Sequence, residues 1–241
     1  MKTLAAEQTA YRTSRPSFLG RGIERLTNPF GKAIASVVPR SLMEGVLKGL
    51  DKATGQANLL SFDHDPADMD AARKAARRAE RVARGVSATT GAAAGLGGAM
   101  TMSADIPATI AVALRLIRDT GRAFGFEGEG PTERMFRLQV LEVAALDDRD
   151  EKNARLDALE AEIDDTGALI AVTGKDIEPL VDQAVERVSR AIAFASFRSR
   201  AGMIVPVIGS AVGGIVNAQF QRDVAKAARY AFQARRLKRG N

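Results

Sequence analysis

Residues 85–116 read GVSATTGAAAGLGGAMTMSADIPATIAVALRL, with twenty uncharged residues before Asp105 and nine more before Arg115. The apolar residues are small, and β-branched residues do not alternate with polar ones, so the two-residue period of a half-buried strand is missing. A second uncharged stretch, AGMIVPVIGSAVGGIVNAQFQ, fills residues 201–221 and is again rich in Gly, Ala and Val. Glycine inside a helix costs roughly 1 kcal/mol relative to alanine, so helices that keep several should gain close backbone approach. Gly91 and Gly95 are four apart, as are Gly209 and Gly213, the spacing that lays a flat groove along one helix face. The expectation is an all-α fold: a single helical bundle organised around a Gly/Ala-rich helical hairpin (85–124) packed with a Gly-rich C-terminal helix (203–239).

Outward from the hairpin, Ser103 or Asp105 is placed as the cap of its second arm with Pro107 in the first turn, so that the chain turns near residues 103–107. Upstream, Asp65 and Pro66 are expected to open a separate arginine-dense helix that ends near Arg84. Downstream, a helix is expected from Thr132 to Leu146, then an acidic solvated segment with a thin stripe of Leu156, Leu159 and Ile163, then a helix from Glu178 to Arg200. Leu42, Val46, Leu47 and Leu50 predict a helix over 41–52. Residues 1–16 are polar and read as a disordered N-terminal segment, leaving 17–241 as a single helical domain.

Composition narrows the function classes. Without cysteine there is no disulfide framework, thiolate metal site or catalytic thiol. The N-terminus has no apolar run of signal-peptide length, which gives the expectation of a cytoplasmic protein. The net charge of +6 is uneven: residues 1–84 carry +6, residues 85–200 carry −6 and residues 201–241 carry +6. The basic blocks therefore flank the uncharged stretches. Arg73, Lys74, Arg77, Arg78, Arg81 and Arg84 precede the first, and Arg222 to Arg239 follow the second.

Catalytic and metal constellations are weak. The loop around His64, with Asp63 and Asp65, could be drawn as a metal site, but a transition metal normally takes more than one imidazole, so no metal or cofactor is assigned. GAAAGLGG lacks the Lys-Ser/Thr of a phosphate loop and any strand before it. Asp147, Asp148 and Asp150 do not match the spacing of a calcium loop.

Four short patterns occur in order: TGAAAGLGG at 90–98, ADIP at 104–107, AFGF at 123–126 and VPVIGSAVGGIVNAQF at 205–220. Together they resemble the EcsC family of bacterial proteins over about residues 40–237. The resemblance implies a helical protein with no assigned active site, and a link to transport or secretion machinery. Asp105, Pro107, Pro206, Gly209, Gly213 and Asn217 fall on its motif positions.

Three function classes follow. The first is a non-enzymatic, membrane-associated interaction protein, peripheral to the inner face of the cytoplasmic membrane, with an unknown protein partner and with hairpin insertion as its variant. Its contacts with anionic lipid are expected from Arg235, Arg236, Lys238 and Arg239 on a basic amphipathic C-terminal helix. The second is a nucleic-acid-binding helical protein, suggested by pI 9.9 and disfavoured by the absence of Trp. The third is a hydrolase-like enzyme using Asp105 or the His64 loop, although Asp105 is explained more simply as a cap.

Overall fold

Ala72, Ala76, Ala79 and Ala83 share one helix face, and all four are fully buried, so the small side chains bring this helix close to its neighbours. The computed structural model describes residues 2–14, 40–96, 102–146, 148–170, 179–189 and 209–239. These form helices α1 (Lys2–Thr13), α2 (Arg40–Gly55), α3 (Met69–Leu96), α4 (Met102–Ala123), α5 (Pro131–Ala145), α6 (Arg149–Ala161), α7 (179–189) and α8 (Gly209–Arg239). The fold is all-α. Among the described residues the one strand-like feature is an isolated bridge between Ile163 and Leu169.

α3 packs most extensively against α8, which buries Val224, Ala227, Ala228, Ala231 and Phe232. The two run antiparallel: Arg229 reaches Glu80, while Glu7 of α1 bonds both Arg73 and Gln233. α4 lies against α2, α3 and α8 and buries Ile110, Leu114, Leu116 and Ile117. Close approach is visible at two glycines. A Cβ on Gly49 of α2 would lie 2.7 Å from Ile110 and 3.0 Å from the Pro107 carbonyl oxygen, and one on Gly121 would lie 2.7 Å from the Phe232 ring. Gly91, Gly95, Gly209 and Gly213 lie on helical backbone in α3 and α8, but their surroundings, and those of Asn217, fall outside the described residues, as does Pro206.

Four expectations change. The arginine-dense helix does not end near Arg84 but runs unbroken to Leu96, because Gly85 is exposed in open space and costs too little to stop a helix with a buried alanine face. Its cap is Asp68 rather than Asp65: the Asp68 carboxylate accepts from Asp70 N at 2.9 Å and Ala71 N at 3.1 Å. α4 runs from Met102, so Asp105 is inside the helix rather than capping it, and Pro107 is interior. Residues 2–13, expected to be disordered, form a helix whose Leu4 is buried and whose Tyr11 ring meets that of Tyr230 at a tilt of 41°, centroids 5.1 Å apart. Its remaining anchors are polar. Arg12 pairs with Asp157 at 2.7 Å and Glu160 at 2.9 Å, and Lys152 donates to the Tyr11 carbonyl at 3.0 Å and the Ser14 carbonyl at 3.1 Å.

The acidic segment after α5 is largely helical. Asp148 caps α6 by accepting from Asp150 N and Glu151 N, both at 2.9 Å, and the thin stripe of Leu156, Leu159 and Ile163 is buried as its spacing suggested.

Candidate functional site

The site is built on α3. Lys74, Arg77, Arg78, Arg81 and Arg84 are all exposed and lie within about a third of the helix circumference, opposite the buried alanines. From Lys74 to Arg84 the stripe is about 15 Å long at 1.5 Å per residue. Arg77 is 3.8 Å from Glu7, whereas Lys74, Arg78, Arg81 and Arg84 have no hydrogen-bond or ion-pair partner among the described residues. Arg73, at the edge of the stripe, is half-buried and tied to Glu7 and Asp70.

This stripe continues along the same helix into the uncharged residues 85–96. Because α8 runs antiparallel, its uncharged half, 209–221, lies at the same end of the molecule, and α4 starts there too, with Gln221 Nε2 donating to the Thr109 carbonyl at 3.1 Å. Two uncharged helix ends and the start of α4, whose one charge before Arg115 is Asp105, thus gather at one pole, with the cations of α3 directly beside it. Among the described residues no helix is long and apolar enough to cross a membrane.

The four C-terminal cations do not form one surface. Arg235 is buried in a bidentate pair with Glu133 at 2.9 and 3.1 Å, donates from Nε to the Gly167 carbonyl at 3.0 Å and lies 4.0 Å over the Phe126 ring. Lys238 donates to the Glu160 and Ile163 carbonyls and so closes the C-terminal end of α6. Arg236 is half-buried and Arg239 exposed, so only these two are open to a partner. All four also stand at the far end of α8 from the uncharged pole.

The remaining candidates are structural. His64 donates from Nε2 to the Ala123 carbonyl at 2.9 Å and meets Phe62 edge-on, which pins the loop before α3 to the end of α4. Among the described residues no group of His, Asp and Glu is arranged to hold a metal ion. Asp119 is fully buried and accepts from Leu59 N at 2.7 Å, Leu60 N at 3.2 Å and Arg122 at 3.2 Å. Burial pushes its carboxyl above the usual value, against the pull of those donors. Asp105 lies on the α4 backbone near the uncharged pole, with its side chain outside the described residues.

Sequence reasoning also missed a second cluster of cations. Arg118 of α4 donates to the Ala53 carbonyl at 3.3 Å and the Gln56 carbonyl at 2.8 Å, closing the end of α2. Arg137 of α5 pairs with Glu129 at 3.2 Å and donates to the Gly128 carbonyl. The signal available was Arg115, Arg118 and Arg122 at helical spacing within an otherwise apolar run.

Among known proteins, the chain is similar to "Uncharacterized protein YdbA" of Bacillus subtilis (strain 168), 34% identical over 53 residues. That similarity spans 22% of this chain and 20% of the relative. No solved structure matches. The EcsC protein family model matches residues 4–237, nearly the whole length and including α1; the chain belongs to the EcsC protein family.

Proposed function

We propose that this protein is a non-enzymatic, peripheral membrane-binding protein that sets its uncharged pole and the cationic stripe of α3 against an anionic bilayer. The observation that carries the reading is the antiparallel packing of α3 and α8, which brings uncharged ends to the pole beside Lys74, Arg78, Arg81 and Arg84. Among the described residues those four side chains have no partner to give up when they meet lipid phosphate. Each basic residue near an anionic leaflet contributes about 1 kcal/mol, so the stripe supplies roughly 4 kcal/mol, enough for reversible recruitment. Arginine and lysine stems also lie comfortably along an apolar surface with their charged ends at the headgroups. The cytoplasmic leaflet of the cell membrane presents the negative potential this arrangement requires.

The test is vesicle flotation of the purified protein with and without anionic lipid, at low and high salt, after nuclease treatment. Binding that needs anionic lipid and falls with salt supports the reading. Association with nucleic acid in place of vesicles would move the stripe to a phosphate backbone instead.

A further inference from the structure

Between α2, α4 and α5 lies a small cavity walled by Leu50 and Leu114 and lined by Arg118, Arg134, Arg137 and Glu129. Its volume is about 20 Å³, room for one water-sized atom. Arg118 and Arg137 are 7% and 8% exposed, and the Nε of each is buried without a hydrogen-bond partner. Unpaired buried donors are costly, more so when charged. Arg118 has no carboxylate of its own either, since its two terminal nitrogens go to backbone carbonyls. Against three guanidinium groups the cavity offers one carboxylate, that of Glu129, which is 59% exposed and spans 3.2 Å to Arg137. α5 begins beside it at Pro131, after Gly130, with no side chain capping its first turn.

We infer that this cavity is a binding site for a phosphate-type oxyanion: one oxygen enters between Arg118 and Arg137, and the rest stays at the mouth, where Arg134 is exposed. Guanidinium groups match such oxyanions in geometry and hold them by charge-assisted hydrogen bonds. Glu129 then acts as an internal competitor, an exposed carboxylate that an incoming anion displaces from Arg137. None of these residues belongs to the membrane surface proposed above.

The test uses two exposed positions, Arg134 and Glu129, because Arg118 also holds the end of α2 and its loss would confuse binding with folding. The full chain is titrated with inorganic phosphate, with chloride at matched ionic strength as reference, and followed by thermal shift and calorimetry. Phosphate should raise the wild-type midpoint saturably beyond chloride. Arg134→Gln should need about threefold more phosphate for half-saturation, and Glu129→Gln about threefold less, the discount for exposure being included. Opposite shifts from two surface changes are not a stability effect. A phosphate response no larger than that of chloride, or identical titrations of the three proteins, would overturn the site and leave a cavity for a single water. Where the site is supported, vesicles whose only anion is a phosphomonoester headgroup identify the source. Displacement of the protein from them by free phosphate, weakened in Arg134→Gln, assigns a lipid headgroup; phosphate saturation without displacement assigns a soluble phosphate.

Discussion

Glu133→Gln should destabilise the protein severely without touching its proposed membrane surface. The Arg235 side chain is 4% exposed and Glu133 15%, and the two meet through contacts of 2.9 and 3.1 Å. Removing the carboxylate charge leaves a guanidinium held between Phe126 and the Gly167 carbonyl with no counter-ion. Breaking one partner of a buried pair costs about 3–5 kcal/mol, and the slight exposure of Glu133 places the cost near 3. At about 2–4 °C per kcal/mol for a chain of this size, the midpoint falls by roughly 6–12 °C. Thermal unfolding by circular dichroism measures it, and the double variant Arg235→Met with Glu133→Met should recover part of the loss because no buried charge remains. Arg235→Gln with an unchanged midpoint but lost vesicle binding would refute the assignment and return Arg235 to the surface.

Other outcomes follow from the same contacts. Gly121→Ala should cost about 1–3 kcal/mol because its Cβ runs into the buried Phe232 ring, while Gly85→Ala, in open space on α3, should add about 0.5–1 kcal/mol; melting temperatures moving in opposite directions check the pair. Asp119→Ala should cost about 3 kcal/mol by orphaning the Leu59 and Leu60 amides, seen as faster hydrogen exchange at those two positions. Burial alone would raise the carboxyl of Glu7, but hydrogen bonds from Arg73 and Gln233 and the charges of Arg73 and Arg77 hold it below the usual value. Its contribution is therefore present at neutral pH and lost as pH falls through that lowered value, so α1 should lose exchange protection in acid before α8 does, and Glu7→Gln should remove that pH dependence.

The described parts of the uncharged stretches were legible as helix, because long small-residue runs with no alternation leave little else, and so were the buried positions Leu156, Leu159, Ile163 and Phe232. Helix ends were less so. Nothing local distinguishes Gly85, which α3 passes through, from a stop; what carries the helix past it is an alanine face matched to α8, more than a hundred residues away. α1 was illegible for a similar reason. It buries one apolar residue, Leu4, and depends on distant partners such as Tyr230, Glu160 and Lys152. Among the basic residues that end α8, Arg235 differs from Arg236 and Arg239 only by its place. It continues the buried line of Val224, Ala228 and Phe232, and that periodicity was the available sign that it faces inward.

The chain has no tryptophan, so a single introduced one reports its own surroundings alone. Thr89 is exposed on the uncharged half of α3, and Glu127 is exposed just beyond the opposite end of α4. The most direct measurement is quenching of Thr89→Trp and Glu127→Trp fluorescence by anionic vesicles carrying brominated acyl chains. The account predicts strong quenching at position 89 and little at 127; equal quenching at both, or none at 89 with vesicles bound, would contradict it.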